Sequence, residues 1–250
     1  MAKIVVANWK MNPQSQKEAE VLFKETLIAS KNIKNTKIIV CPPFPFLFVL
    51  KKFKNKKIAL GAQNVGNETE GSHTGEVSPK MLINMGVSYV IVGHGERRKQ
   101  GETNKIINEK ILNLLKSKLL PILCVGETIR DRDGFYLSFI GEQIKDCLKR
   151  VTHSQMKNII IAYEPIWAIG ERATREATKE EFMEIKIFIK KVISDIYDFK
   201  VAHNITIIYG GSVNPENAKS FIETGVADGL LVGRDSINPK KFSAILNALN

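Results

Sequence analysis

The sequence predicts an α/β protein in which eight parallel strands alternate with helices and close into a (β/α)8 barrel, as a single domain of residues 1–250. Short apolar, β-branched segments alternate with longer amphipathic segments along the chain, which is typical of parallel sheets covered on both faces. Polar residues directly follow most of the apolar segments. In a closed barrel these strand ends meet at one mouth, whereas an open sheet would spread them along an edge.

The predicted strands are short and apolar on both faces. In chain order they are Ile4–Ala7, Lys37–Cys41, Ile58–Ala62, Tyr89–Val92, Pro121–Val125, Ile159–Tyr163, Thr206–Tyr209 and Gly229–Val232. Helical patterns between them are Ser15–Ser30, Glu102–Ser117, Glu142–Val151 and Glu180–Tyr197. In the last of these, apolar residues recur at spacings of three and four from Phe182 to Val192, which places them on one helix face.

The composition is that of a globular domain that needs no covalent cross-link. Of 250 residues, 44% are hydrophobic, and the three cysteines are widely spaced with no CxxC pair. We therefore predict no disulfide framework, no metal site and no cofactor, and no nucleotide-binding motif follows a strand. The apolar segments are too short for a signal-peptide core or a membrane span, so we expect a cytoplasmic protein without membrane contact.

The formal net charge of +11 raises the question of an anionic partner. The excess comes mostly from lysines scattered along helical segments, such as Lys51, Lys52 and Lys54, without an interleaved aromatic stripe. We predict no nucleic-acid partner. A nucleic-acid or phosphate binder without catalysis stays as the alternative from another functional class.

Glu164 ends a predicted strand, and a proline and an apolar loop follow it. The residues of this loop are Trp167, Ala168, Ile169 and Gly170. We expect the loop to act as a lid, because closing it would exclude water and raise the basicity of the carboxylate. The alternative is a strand-end glutamate that caps the next helix.

His94 also directly follows an apolar strand, between two glycines that let a ligand approach the backbone. If the next helix points its N-terminus at His94, the imidazole stays neutral and can donate a hydrogen bond to a carbonyl group. A structural histidine is the alternative. Glu96, Arg97 and Arg98 are expected to form a salt-bridge network under the site.

Two glycine turns follow the last two predicted strands. The first contains Gly210, Gly211 and Ser212, and the second contains Gly233 and Arg234. Glycines leave backbone N–H groups free to face an anion, and phosphate sites recur after the seventh and eighth strands of such barrels. These turns therefore predict a phosphate site.

Asn8 and Lys10 follow the first predicted strand. A lysine at this position would place a cation in the mouth of the barrel. Since most lysines of the chain are expected at the surface, the meaning of Lys10 depends on the residues that accompany it.

Eight segments of the chain carry a family resemblance. In order they are ANWKMN, GAQN, TGEVSPKML, VGHGERR, ILCVGET, AYEPIWAIG, YGGSVNPENA and VGRDS. Together they resemble the triosephosphate isomerase family over essentially the whole chain. The resemblance implies a TIM barrel and the cofactor-free interconversion of D-glyceraldehyde 3-phosphate and dihydroxyacetone phosphate, a step of glycolysis and gluconeogenesis.

The same resemblance implies roles for individual residues. Glu164 is the base that moves a proton between C1 and C2 through an enediolate, and His94 is the neutral electrophile. Lys10 stabilises the developing negative charge, and Asn8 helps to hold the substrate. The backbone N–H groups implied to bind the phosphate are those of Gly170, Ser212, Gly233 and Arg234. The residues implied to support the site are Glu96, Gly210 and Gly211. An isomerase of a related sugar phosphate, such as a tetrulose phosphate, is the alternative within enzymes.

The sequence departs from the family at three places. Gly95 replaces the usual serine beside the histidine, which bears on the resting position of Glu164. The segment after Gly170 is two residues longer, which alters the rear hinge of the lid. Arg234 replaces the second glycine after the last strand.

The resemblance also implies a homodimer. The polar loop Asn64–Glu76 matches an interdigitating loop of the family, in which Thr74 would reach toward the site of the partner. A loop of this length is usually functional or disordered, so a merely mobile loop is the alternative.

Overall fold

A computed structural model describes residues 3–170, 173 and 175–249, so positions 1, 2 and 250 of the predicted domain lie outside it. Eight parallel strands form a closed barrel in chain order, with the last strand paired to the first. They are β1 (Lys3–Asn8), β2 (Thr36–Cys41), β3 (Ile58–Ala62), β4 (Val87–Val92), β5 (Leu120–Val125), β6 (Ile160–Tyr163), β7 (Thr206–Tyr209) and β8 (Gly229–Val232). The predicted (β/α)8 barrel is confirmed.

Helices surround the barrel. They are α1 (Gln16–Ser30), α2 (Phe44–Leu50), α3 (Pro79–Asn84), α4 (Gly95–Lys99), α5 (Asn104–Lys116), α6 (Phe135–Cys147), α7 (His153–Met156), α8 (Lys179–Ile196), α9 (Phe199–Asn204), α10 (Ala218–Ile222) and α11 (Pro239–Ala248). Short 3₁₀ segments lie at Lys51–Phe53, Ile166–Ala168, Glu223–Gly225 and Arg234–Ile237. Within the described part of the chain, no helix combines the length and apolar character that crossing a membrane requires.

The predicted strands agree closely with β1 to β8, but the predicted helix Glu142–Val151 was wrong at both ends. This helix, α6, begins at Phe135, where Gly134 adopts a left-handed backbone with φ of 82°. The Asp131 carboxylate accepts hydrogen bonds from the N–H groups of Phe135 at 2.9 Å and Tyr136 at 2.8 Å, which fixes the first turn. The exposed side chain of Phe135 interrupts the amphipathic pattern, which is why the pattern pointed to a later start.

The strands divide their side chains between two apolar layers. Alternate residues such as Val5 and Ala7 pack in one cluster with helix residues that include Phe23 and Phe242. The buried members of the second cluster, among the described residues, all come from strands: Val6, Ile39, Cys41, Ala59, Ile91, Ile122, Cys124, Ile160, Ala162, Ile208 and Leu231. The second cluster therefore fills the barrel interior, and the first joins the barrel to its helices.

Candidate active site

Every second side chain of a strand points into the barrel, and this alternation continues past the interior cluster into the mouth. At the next inward position of β1, β5, β6, β7 and β8 stand Asn8, Gly126, Glu164, Gly210 and Gly233. A Cβ added at Gly210 would lie 3.0 Å from Glu164 Cγ, and one at Gly233 would lie 3.3 Å from Lys10 Cε. The glycines therefore border the polar residues and leave room beside them.

Glu164 lies at the end of β6 with only 1% of its surface exposed. Its backbone N–H donates to the Val125 carbonyl at 2.8 Å, which continues the sheet by one residue. The side-chain Oε2 accepts a hydrogen bond from the Gly95 backbone N–H at 3.0 Å. Oε1 lies 3.2 Å from His94 Nε2 but outside hydrogen-bond alignment, so among the described residues this buried oxygen has no hydrogen-bond partner.

His94 caps the N-terminus of the short helix α4. Its Nδ1 accepts a hydrogen bond from the Glu96 backbone N–H at 3.1 Å. An accepting Nδ1 carries no proton, so this bond assigns the proton of a neutral imidazole to Nε2, the nitrogen that faces Glu164. The arrangement predicted from the sequence, a helix N-terminus pointing at a histidine that can donate from its other nitrogen, is present.

Lys10 occupies the mouth in a left-handed backbone conformation with φ of 54°, which is uncommon for a residue other than glycine. Its N–H donates to Asn8 Oδ1 at 3.1 Å, and its carbonyl accepts from Gln63 Nε2 at 2.8 Å. Its Nζ lies 2.5 Å from Glu96 Oε1. Burial acts to raise the pKa of Glu96, but the hydrogen bond and charge of Lys10, together with neighbouring charges such as Lys99, lower that pKa.

Glu127 holds the predicted lid at its front end. Its Oε1 accepts hydrogen bonds from Trp167 Nε1 at 2.7 Å and from the Tyr163 hydroxyl at 2.8 Å. Burial raises the pKa of Glu127, although these hydrogen bonds oppose the shift. Ser212 Oγ donates to the Ala168 carbonyl at 2.9 Å, so the turn after β7 also contacts the lid.

The two predicted glycine turns lie at the mouth beside these groups. Gly210 N–H donates to the Tyr163 carbonyl at 2.8 Å, which ties the turn to the strand that carries Glu164. Within the described ranges, no intramolecular hydrogen bond uses the N–H groups of Gly170, Ser212, Gly233 or Arg234. An anion could be bound by such free donors.

The structure places the remaining predicted residues as follows. Of the expected salt-bridge network, Glu96 pairs with Lys10, and Arg97 Nε lies 3.8 Å from Glu102 Oε1. Arg98 has no ion pair with a carboxylate among the described residues and donates to the carbonyl of Gly93 at 2.8 Å and of Cys124 at 3.2 Å. Asn64 Oδ1 accepts a hydrogen bond from Lys110 Nζ at 2.8 Å, and Thr74 is exposed. In the lengthened segment after Gly170, Glu171, Arg172 and Thr174 lie outside the described residues.

Two residues of this region have functions that sequence reasoning did not assign. Gln63 donates from Nε2 to both the Lys10 and the Cys41 carbonyl, each at 2.8 Å, and so fixes the strained backbone of Lys10. Glu127 anchors Trp167. Gln63 directly follows β3, and Glu127 lies two residues beyond the end of β5. Their positions near strand ends could therefore be read from the sequence, but the groups that they contact could not.

A barrel whose mouth holds a buried carboxylate 3.2 Å from an imidazole, and also a lysine, has the groups that enzymes use to transfer protons on small polar substrates. A sequence model of the triosephosphate isomerase family matches residues 3–249. The chain belongs to this family, and it is an enzyme of the aldose–ketose isomerase class.

Individual relatives are similar along their whole length. The triosephosphate isomerase of Dictyoglomus turgidum is 43% identical over 249 residues, which cover 98% of this chain and 99% of the relative. The corresponding proteins of Carboxydothermus hydrogenoformans and Clostridium botulinum (strain Okra) are each 42% identical, with coverage of 96% or more of both chains. The resemblance identified from short motifs therefore extends over the entire barrel.

Proposed function

We propose that this chain interconverts D-glyceraldehyde 3-phosphate and dihydroxyacetone phosphate, with Glu164 as the base and His94 as the electrophile. The observation that carries this assignment is the buried Glu164 carboxylate, whose Oε1 has no hydrogen-bond partner among the described residues and lies 3.2 Å from His94 Nε2. A desolvated carboxylate without a partner on one oxygen is suited to accept a proton from carbon.

The proposed reaction moves two protons. Glu164 takes the proton from the carbon next to the carbonyl group and returns it to the neighbouring carbon. His94 donates a hydrogen bond from Nε2 to the carbonyl oxygen and transfers protons between the two substrate oxygens. The Lys10 ammonium, held in the mouth by Glu96, stabilises the negative charge of the enediolate, and Asn8 helps to hold the substrate.

The substrate phosphate is proposed to bind the free N–H groups of Gly170, Ser212, Gly233 and Arg234. Supporting this proposal, these donors come from the lid and from the turns after β7 and β8, beside Glu164. The lid of residues 167–170 would cover the enediolate, exclude water and suppress the elimination of its phosphate.

We further propose that the chain acts in the cytoplasm as a homodimer of single-domain subunits. The hydrogen bond from Gly66 N–H to the Val77 carbonyl at 2.9 Å closes the base of the loop that carries Thr74, whose tip is exposed. Apolar side chains exposed in the monomer include Phe48 at 73% and Met81 at 51%, and Lys51 Nζ joins their helices by donating to the Asn84 carbonyl at 3.1 Å. A partner would bury this surface.

A coupled assay that follows the conversion of glyceraldehyde 3-phosphate to dihydroxyacetone phosphate tests the proposal, with Glu164→Asp measured alongside. We expect a fast wild type and a much slower variant, since the shorter side chain withdraws the base from the carbon. A wild type that binds 2-phosphoglycolate but is inactive on triose phosphates would redirect the assignment to another sugar phosphate. Binding of neither would favour a protein without catalysis.

A further inference from the structure

The turn after β7 carries one of the donors proposed to bind the substrate phosphate, the backbone N–H of Ser212. Two asparagines hold the part of the turn that follows this group. The Asn214 N–H donates to Asn217 Oδ1 at 3.0 Å, and the Asn217 N–H donates to Asn214 Oδ1 at 2.8 Å. Asn217 Nδ2 also donates to the Ser212 carbonyl at 2.7 Å. The two side chains therefore fix the backbone directly after the proposed phosphate donor.

Both asparagine amides also donate to a single carboxylate, that of Glu176. Asn214 Nδ2 donates to Glu176 Oε1 at 2.9 Å, and Asn217 Nδ2 donates to Glu176 Oε2 at 3.0 Å. Because a carboxylate only accepts hydrogen bonds, both amides must turn their NH₂ groups toward it. Their Oδ1 atoms are then left to accept the backbone N–H groups of the turn. Glu176 therefore sets the orientation of both amides.

Glu176 belongs to the lengthened segment that follows the lid, and its own backbone is held. Arg175 Nη1 donates to the Glu176 carbonyl at 3.1 Å. The same guanidinium lies 4.6 Å from the centroid of the Trp167 ring and donates to the two carboxylate oxygens of Glu181 at 2.9 and 2.6 Å. Glu181 is fixed in the first turn of α8, where it accepts from the Thr178 N–H at 2.8 Å in a capping box. Glu176 therefore joins the start of α8 to the turn after β7.

We infer that Glu176 is a positioning residue for phosphate binding, which acts through Asn214 and Asn217 on the turn that carries the Ser212 N–H. In the arrangement that it holds, this N–H has no intramolecular acceptor among the described residues. The inference rests on the proposed function for the role of this donor. A donor that is already in place costs less free energy to order when the ligand binds, so Glu176 raises the affinity for a phosphorylated ligand.

The sign of the binding change separates this role from an effect of charge. Glu176 places a negative charge beside the turn, so its removal would tighten the binding of an anionic ligand if only charge mattered. Loss of positioning weakens binding instead. The loss of one hydrogen bond at an exposed site corresponds to about two- to tenfold in affinity.

The experiment measures the affinity for 2-phosphoglycolate by calorimetry in the wild type, Glu176→Gln and Glu176→Ala. We expect weaker binding by about two- to tenfold for Glu176→Gln, in which one acceptor becomes a donor that faces an asparagine NH₂ group. The loss for Glu176→Ala should be at least as large, because both acceptors are removed. Unchanged or tighter binding by Glu176→Gln would overturn the inference.

Glu180→Gln is the matched control, because it removes the same charge from an exposed carboxylate at the start of α8. The ion-pair partner of Glu180 is Lys179 at 3.9 Å, and within the described ranges Glu180 has no hydrogen bond to the turn after β7. This variant should bind 2-phosphoglycolate as the wild type does or slightly more tightly. A weakening equal to that of Glu176→Gln would overturn the role of the contacts with the asparagines.

A second readout separates positioning of the phosphate donor from a general loss of structure. In Glu176→Gln, kcat/KM for D-glyceraldehyde 3-phosphate should fall, whereas kcat/KM for unphosphorylated D-glyceraldehyde should be unchanged. A merely structural role would lower both values, and equal losses for the two substrates would overturn the inference.

A double-mutant cycle tests the path through the asparagines. In an Asn217→Ala background, Glu176→Gln should weaken 2-phosphoglycolate binding less than it does in the wild type, because one of the two connections is already gone. An undiminished effect would overturn the positioning role. A wild type that does not bind 2-phosphoglycolate would count against the proposed function and the inference together. Normal binding by the wild type with unchanged binding by Glu176→Gln would count against the role of Glu176 alone.

Discussion

The barrel interior and the barrel mouth are built by the same strands but have opposite physical character. The interior cluster consists of apolar side chains such as Ile91, Ile122 and Ile208, all fully buried. One inward position further along, β1 carries Asn8 and β6 carries Glu164, both still buried. Burial in the interior stabilises the fold, whereas burial of Glu164 costs desolvation energy, which the hydrogen bond from the Gly95 N–H counteracts.

The difference shows how the fold separates stability from chemistry along each strand. The interior is closed on all sides by side chains from neighbouring strands, so its contribution to the stability of the fold depends on the volume of those side chains. The mouth is lined by glycines and by polar groups, some of which meet partners from other strands, as Lys10 meets Glu96 and Glu164 approaches His94. Substitutions in the two regions should therefore act on different observables.

The largest effect is expected for Glu164→Gln, which removes the proposed base and keeps its shape. We expect kcat/KM to fall by about 10³-fold or more, in the range of a lost general base. Thermal unfolding should show equal or higher stability, because a buried carboxylate is replaced by a neutral amide. A variant that loses stability together with activity would contradict the separation of the two regions.

The converse change is Ile122→Ala in the interior. The cavity is expected to lower the free energy of unfolding by about 2–5 kcal/mol. Urea unfolding measures this loss, and an active-site titration gives kcat per folded molecule, which should stay within about twofold of the wild type because the mouth is untouched. A large fall in kcat at full occupancy of the native state would show that the interior also positions the catalytic groups.

A smaller effect is expected for Gly95→Ala, at the boundary between the lid and the base. A Cβ at this position would overlap Ile166 Cδ1 and lie 3.6 Å from Glu164 Oε2. Overpacking of this kind costs about 1–3 kcal/mol, so both the free energy of unfolding and kcat/KM should fall.

Ile166→Val removes the overlapping Cδ1 atom and supplies the control for Gly95→Ala. In the double variant, stability and kcat/KM are expected to return toward those of Ile166→Val alone, and a double-mutant cycle measures the coupling. Additive losses would mean that the added methyl group acts on Glu164 directly and not through Ile166.

The smallest effect concerns the pH dependence of stability at Glu127. Because burial raises the pKa of this acid in the folded state, its favourable contribution is present below the ordinary glutamate value of 4.5 and is lost as pH rises through the folded-state value. Relative to Glu127→Gln, the wild type should therefore become less stable as pH increases from about 4 to about 8. Arg130 Nη1 lies 3.6 Å from Glu127 Oε1. Parallel stability curves for the two proteins over this range would show that Trp167, Tyr163 and Arg130 compensate the buried charge fully.

The sequence by itself determined the order and type of the strands and the residue types at their ends. Apolar segments such as Ile58–Ala62 and Gly229–Val232 were predicted at their observed bounds, because a strand buried on both faces leaves a local signal in every residue. The positions of Lys10, His94 and Glu164 followed from these strands, because polar residues at the ends of parallel barrel strands meet at the mouth. The dimer, the role of Thr74 and the location in the cell stay predictions, since no local pattern fixes a partner or a compartment.

The tertiary structure decided which atoms of these residues meet. The pairing of Lys10 with Glu96 and the approach of Glu164 to His94 join residues far apart in sequence. The contact between Arg175 and Trp167 depends in addition on the anchoring of Arg175 by α8. Closure of the barrel brings eight strand ends to one mouth, so the side-chain partners of Lys10 and Glu164 come from other strands and leave no trace in the segments that carry these two residues.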